Sequence, residues 1–190
     1  MTETVGVILA GGLSRRFGSP KAFAQLGDLK FYEIAIKALT AQCDEIIIVT
    51  RPELVKDFQT DAHVIIDKTE YAGRGPLAGI LSAIEFVQAD RYIVLPCDMP
   101  YVSEAVIGKL ETFHEKDITA VILEGRAHPL VSIWDSHLKS ELQKALNNNQ
   151  LSVMKLLAES EATWIEGSSL TDGERLVFTN MNTPDELERG

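Results

Sequence analysis

Val5-Gly6-Val7-Ile8-Leu9-Ala10-Gly11-Gly12-Leu13-Ser14-Arg15-Arg16-Phe17-Gly18-Ser19-Pro20-Lys21 is the stretch from which the fold is read. It opens on an apolar run, residues 5–10, in which Val5, Val7 and Ile8 are β-branched and favour a pleated strand. A short run that is apolar on both faces suits the centre of a parallel sheet covered above and below. Gly11 and Gly12 end it, where the backbone can turn sharply and approach a ligand with no Cβ in the way. Between residues 13 and 27 the chain then carries three cations, Arg15, Arg16 and Lys21, and no carboxylate. Loop amides and local positive charge at the carboxyl end of a central strand make a place to hold phosphate. A glycine turn with solvated arginines is the bland reading of the same residues.

Beyond that loop the chain alternates strand and helix. Apolar positions predict a helix over 31–42, a strand over 45–50, a short helix near 55–58 and a strand over 63–66 ending at Asp67. A glycine-rich loop, 71–76, leads into Leu77, Ile80, Leu81, Ile84 and Val87 at helical spacing, with Pro76 suited to the first helical position. A strand over 92–95 runs into Pro96-Cys97-Asp98-Met99-Pro100, and Ser103 can cap the helix after it. The later part reads as strands over 119–123 and 130–134 around 124–129, helices over 136–146 and 152–158, a strand over 162–165, a loop over 166–175 and a last strand over 176–179. A capping box with proline at its first helical position is expected over 183–186. The alternation predicts an α/β fold of three layers with a mostly parallel central sheet. Without a repeat or linker, it predicts one domain over 1–190.

Asp98 is the sharpest single candidate for chemistry. It follows a buried strand, between two prolines that stiffen the turn, where ligands of open α/β sheets bind. A carboxylate there can hold Mg²⁺, which shares its shell with substrate phosphates; a helix-capping Asp is the alternative. Cys97 beside it reads as a small packed residue, since no partner base accompanies it. Asp67 can accept from a base or ribose, or simply open a polar turn. Lys21 can meet phosphates as a mobile point charge, and Arg15 and Arg16 can clamp them bidentately. Asn180 and Asn182 alternate, so on extended chain they share a face and two amides there can hydrogen-bond a phosphate or other polar ligand, or serve local turn and cap bonding.

The P-loop and dinucleotide fingerprints are absent. The string Leu-Ala-Gly-Gly-x-Ser-Arg-Arg-Phe-Gly-x-Pro-Lys from Leu9 to Lys21 instead resembles the signature loop of nucleotidyltransferases, and within them the molybdenum cofactor guanylyltransferases. Pro96-Cys97-Asp98-Met99-Pro100 resembles that family's metal turn, and Gly75-Pro76-Leu77-Ala78-Gly79 its base-facing loop. Arg126-Ala127-His128-Pro129 resembles its Arg-x-His-Pro stretch, and Asn180-Met181-Asn182-Thr183-Pro184 its closing motif. The resemblance implies a nucleotide-diphospho-sugar transferase-like fold, with the N-terminal part binding nucleotide and the C-terminal part molybdopterin. It also implies GMP transfer from GTP to molybdenum–molybdopterin with Mg²⁺. Nucleotide contacts would come from Leu9, Ala10, Gly11, Gly12, Lys21, Asp67, Gly79 and Asp98, catalysis from Lys21 and Asp98, and acceptor contacts from Arg126, His128, Asn180 and Asn182. One departure stands out: the nucleotide-contacting Asn that some members carry just after the second strand is missing and Thr50-Arg51-Pro52 stands there, so either Thr50 or backbone serves or that contact is absent, and Arg51 is not assigned to the site. The rivals are a cytidylyltransferase of the same cofactor, a sugar-phosphate nucleotidyltransferase, and a catalytically silent GTP-binding adaptor.

Composition narrows the classes further. A net charge of −10 over 190 residues is a poor match to nonspecific nucleic-acid binding or docking on anionic membrane. No signal peptide or membrane span is expected. Cys43 and Cys97 carry no zinc-site spacing and suit a reduced, cytoplasmic setting. As protein partners, the resemblance allows molybdenum cofactor delivery proteins.

Overall fold

The computed structural model describes residues 2–13 and 17–182. Arg15, Arg16 and the capping box expected over 183–186 lie outside the described residues. The strands are β1 (Thr4–Leu9), β4 (Glu45–Thr50), β5 (His63–Ile66), β6 (Arg91–Pro96), β7 (Ile118–Leu123), β8 (Arg126–Asp135) and β9 (Thr163–Glu166), with a small hairpin of β2 (Gln25–Leu26) and β3 (Leu29–Lys30) to one side. The helices are α1 (Phe31–Leu39), α2 (Pro76–Phe86), α3 (Glu104–Thr112), α4 (Lys139–Asn147), α5 (Val153–Glu159) and α6 (Glu174–Val177). The main sheet has seven strands in the order β5-β4-β1-β6-β8-β7-β9. Only β8 runs against the rest, pairing antiparallel with β6 and β7; all other pairs in the sheet are parallel. The sheet is therefore mostly parallel, as expected.

Strand periodicity builds the three layers. Successive side chains point to opposite faces. Val5, Val7, Ile47, Val49, Tyr92 and Val94 bury on one face with α2, α4 and α5. Their neighbours Ile8, Ile48, Ile93 and Leu95 bury on the other with α1 and α3. The register carries the active edge: Leu9 pairs with Val49 and with Pro96, and Thr50 with Ile66. Gly11, Arg51, Asp67 and Asp98 consequently leave their strands along one rim.

Four local expectations change. The turn between β7 and β8 is only Glu124 and Gly125, both at positive φ, 49° and 79°, the geometry of a tight two-residue hairpin. Arg126, His128 and Pro129 therefore belong to β8. The pairing then slips, from Ala120 opposite Ser132 to Val121 opposite His128. Such a bulge tolerates Pro129, which has no N–H for the ladder. The strand expected over 176–179 is instead the short helix α6, closed by Leu176 and Val177 amides on the Gly173 carbonyl. Only Phe178 of that run is deeply buried, and Leu176 is exposed. A strand's one-sided alternation is thus not met, and Asn180 and Asn182 sit on irregular chain. Ser103 occupies the N-cap of α3, yet its side chain makes no capping bond.

Candidate active site

A cleft of about 1110 Å³ opens along the carboxyl ends of β1, β4, β5, β6 and the beginning of β8. Strand order divides it. On the β5-β4-β1 side lie Leu9, Ala10, Gly11, Gly12, Thr50, Arg51, Asp67 and Gly79; on the β6-β8 side lie Asp98, Arg126, His128, Asn180 and Asn182, with Lys21 also on its wall. Every candidate residue named from the sequence that lies among the described residues lines this cleft.

Three distant segments meet at Lys21. Its ammonium donates to Asp98 Oδ2 at 3.0 Å and to Asn182 Oδ1 at 2.9 Å. Lys21 opens a 3₁₀ turn, Lys21–Phe23, which follows the extended Pro20. Asp98 lies just past β6, where the Cys97 amide still donates to the Leu9 carbonyl and prolongs the parallel ladder. The C-terminal segment is clipped to the same turn, because the Met181 amide donates to the Asp98 carbonyl at 2.8 Å. The Lys21 and Asp98 side chains are 15% and 21% exposed, shielded enough for their charges to act strongly and open enough to meet a ligand. Cys97 is packed, as expected: burial first, then the nearby Asp98 charge, pushes its thiol up to about 12, so it carries no thiolate at neutral pH.

The β5-β4-β1 side of the cleft is built on close approach. Gly79, in the first turns of α2, sits where a Cβ would lie 3.0 Å from Leu9 Cδ2 and 3.4 Å from Val49 Cγ1. That lets the helix start, with Pro76 at its first position and Gly75 at φ 78° before it, press onto β1 and β4. Asp67 Oδ2 accepts from the Gly73 amide at 3.1 Å. Burial raises its carboxyl above the usual range, and that amide pulls the other way. The loop between them is anchored remotely. Tyr71 donates to Asn147 Oδ1 at 3.2 Å, and Arg74 donates to the Leu146 carbonyl at 3.0 Å, both at the end of α4. Gly79→Ala is expected to stay folded, because helix propensity favours alanine by up to about 1 kcal/mol against the crowding of two mobile side-chain ends. The displaced Leu9 should weaken nucleotide binding about fivefold, the equivalent of about 1 kcal/mol. A melting curve and a GTP titration of the variant check both halves; unchanged affinity would separate Gly79 from the site.

Where the sequence lacks an Asn after β4, the structure shows what its neighbours do. Thr50 is buried, and its hydroxyl donates to the Ala10 carbonyl at 3.2 Å, bracing the glycine loop. Arg51, left out of the site by the sequence reading, lines the cleft. Its position one residue past a central strand was the available signal. On the β6-β8 side, His128 is 5% exposed and tilts against the Phe178 ring at 5.7 Å. Its Nε2 is buried without a hydrogen-bond partner. Burial first, then Arg126, lowers its pKa, so the ring is neutral at pH 7 and offers one donor and one acceptor.

The chain matches the family described as MobA-like NTP transferase domain over residues 6–163. A protein of Geobacillus sp. (strain WCH70) named "Probable molybdenum cofactor guanylyltransferase" is 37% identical over 192 residues, covering 99% of this chain and 98% of its own. A protein of the same name from Bacillus cereus (strain ZK / E33L) is 33% identical over 190 residues, covering 98% and 94%. The crystal structure of molybdopterin-guanine dinucleotide biosynthesis protein A from Archaeoglobus fulgidus superposes with a TM-score of 0.80 at 24% identity, over 97% of this chain and 95% of that one. The 2-C-methyl-D-erythritol 4-phosphate cytidylyltransferase of Thermus thermophilus does so with a TM-score of 0.71 at 15% identity, over 96% and 95%. These two structures speak to the fold alone: it is that of the nucleotidyltransferases.

Proposed function

We propose, because this chain belongs to the family of MobA-like NTP transferases, that it transfers GMP from GTP to molybdenum–molybdopterin, forming molybdopterin guanine dinucleotide and releasing pyrophosphate. The observation that carries this reading is the meeting of Lys21, Asp98 and Asn182 in the same cleft as the Gly11 and Gly79 backbones. The names of the full-length relatives support GMP and molybdopterin as the groups joined.

A terminal phosphate oxygen of the pterin cofactor attacks the α-phosphorus of GTP. The new O–P bond forms as the α–β bridging P–O bond breaks, and the electron pair leaves with pyrophosphate. The attacking phosphate is already ionised at neutral pH, so no strong base is required. Catalysis is then mostly positioning and charge neutralisation. Lys21, with the amides of Gly11 and Gly12, offsets the charge gathering on the leaving pyrophosphate. Asn180 and Asn182, with Arg126 and His128, hold the acceptor, and Arg15 and Arg16 clamp the triphosphate.

The donor set suits Mg²⁺. Asp98 presents a partly exposed carboxylate whose Oδ1 carries no protein hydrogen bond among the described residues. Those residues hold no cluster of three or more His, Cys, Asp or Glu able to cage an ion. One carboxylate shared with substrate phosphates is how Mg²⁺ is commonly held, and when bound it would neutralise charge on the phosphate oxygens. Among the described residues no helix is long and apolar enough to cross a membrane, and the free cysteines Cys43 and Cys97 suit the cytoplasm. There the product would pass to cofactor delivery proteins.

Guanine presents N1–H and N2–H₂ donors, for which Asp67 and the loop carbonyls are acceptors; cytosine would leave them unpaired. Buried polar groups left unpaired make such discrimination large. GTP is therefore expected to outrun CTP by at least about tenfold at equal concentration. Both nucleotides in one reaction with molybdopterin, pyrophosphate followed and dinucleotides separated by mass, test it. Equal yields of the cytosine and guanine products would sink guanylyl transfer but leave nucleotidyl transfer standing. Binding without pyrophosphate release would point to a silent adaptor.

A further inference from the structure

Arg51 is the first residue past β4, with an extended backbone at φ −86° and ψ 150°. Its side chain runs beside the glycine loop: a Cβ on Gly11 would sit 3.9 Å from Arg51 Cγ. Both residues line the cleft with Asp67 and Gly79, on its β5-β4-β1 side. The guanidinium is oriented from one end, where Nη1 lies 2.7 Å from Glu53 Oε1. Glu53 is 59% exposed on its side chain, so the pair adds little to stability; what it supplies is direction. The opposite edge of the guanidinium is unused. Nε is buried and has no hydrogen-bond partner, and Nη2 makes no hydrogen bond or ion pair among the described residues. A buried donor without an acceptor is costly unless a ligand completes it.

Nε and Nη2 form two parallel N–H donors in a rigid fork. Their complement is a pair of acceptors side by side on a flat edge. Guanine offers that pair as O6 and N7, on the edge that also leads away from the sugar; adenine places an N6–H₂ donor beside N7, and cytosine presents N4–H₂ on the corresponding edge, its own adjacent acceptors N3 and O2 lying next to the glycosidic bond. A guanidinium has no acceptor to give those donors and cannot lose its proton to gain one. Asp67, at the end of the adjacent strand β5, is acceptor-only when ionised and suits the other edge of the same base.

We infer that Arg51 is a specificity-determining residue, its side-on fork donating to O6 and N7 of guanine while Glu53 holds it in line. This deepens the guanylyl-transfer reading and rests on it. It also gives the position after β4 a direct role in choosing the base.

Calorimetric titration of the full chain with GTP, 7-deaza-GTP and CTP tests it. Replacing N7 by C–H removes one of the two acceptors and nothing else. Wild type is expected to bind GTP about tenfold more tightly than 7-deaza-GTP, the scale of one specific base contact. In Arg51→Ala that ratio should fall to near one, with CTP affinity changed by less than about twofold, because the lost contact is to the guanine edge alone. Arg51→Lys keeps the charge and the stem but not the fork, so it should show the same collapsed ratio in a chain whose folding is not in question. The assignment is overturned if wild type does not distinguish GTP from 7-deaza-GTP. It is equally overturned if Arg51→Ala keeps the wild-type ratio, or if it weakens GTP and CTP alike, which would put its charge on the phosphates. Wild type binding CTP as tightly as GTP would overturn the guanylyl reading with it. A clear preference for GTP over CTP alongside an unchanged ratio in Arg51→Ala would overturn the Arg51 role alone.

Discussion

Asp98→Asn is expected to lower the rate of pyrophosphate release by about 10²-fold or more, the loss that follows removal of one electrostatic catalytic element. The substitution keeps the shape of the side chain and the backbone carbonyl that accepts from Met181. An amide oxygen can still accept from Lys21, which now donates to Oδ2 at 3.0 Å. What disappears is the negative charge. A neutral amide is a poor ligand for a hard cation that already gives up its water reluctantly. The rate should therefore be measured across a Mg²⁺ titration, with wild type beside it. The variant should fall furthest behind at limiting Mg²⁺ while its melting temperature stays close to wild type, since the residue is partly exposed and packs no core. Near wild-type turnover at limiting Mg²⁺ would remove Asp98 from the metal role.

Lys21→Ala should cost turnover on a similar scale, about 10²-fold, and for a separable reason. The ammonium sits where the Lys21 turn, the Asp98 turn and the C-terminal segment converge, and in the proposed reaction its charge would address the outer phosphates. GTP affinity should accordingly fall much more than GMP affinity, because GMP lacks the β and γ groups on which that charge acts. The structure adds a control. Lys21 also tethers Asn182 at 2.9 Å, so part of any loss could be a released C-terminal segment. Asn182→Ala cuts that tether while leaving the cation. If Lys21 acts through its charge, Asn182→Ala keeps the GTP-over-GMP preference that Lys21→Ala loses. Equal losses of GTP and GMP affinity in Lys21→Ala, with turnover unchanged, would count against the phosphate role.

The nearness of residues that act together follows one rule. Ligands of an open α/β sheet bind beyond the carboxyl ends of its strands. Gly11, Asp67 and Asp98 each stand just after an apolar strand run, which made them readable as candidates one at a time. Arg51 met the same condition, yet a cation after a strand is as often a solvated charge. Only its unpaired Nε and its place beside Gly11 distinguish it. His128 was readable as a residue but not as an orphan. Its burial depends on the slipped pairing of β7 and β8, and that slip on a Glu124-Gly125 turn that is weaker in sequence than Asn-Gly. The strand expected over 176–179 failed because Val177 and Phe178 favour extended backbone locally, whereas the Gly173 carbonyl captures the following amides.

By itself the sequence determined the layers and the rim. Alternating apolar residues in β1, β4 and β6 sort into two faces, and strand–helix alternation permits few arrangements other than a mostly parallel sheet. Those are local properties, carried by residues a few positions apart. The tertiary structure alone decided which rim residues touch. Lys21 meets Asp98 across 77 positions and Asn182 across 161. That meeting exists because β6 lies next to β1 in the sheet and because the Met181 amide closes the C-terminal segment onto Asp98. Periodicity sets which face a side chain takes, but it holds no information about strand order, and it is strand order that brings the charges together.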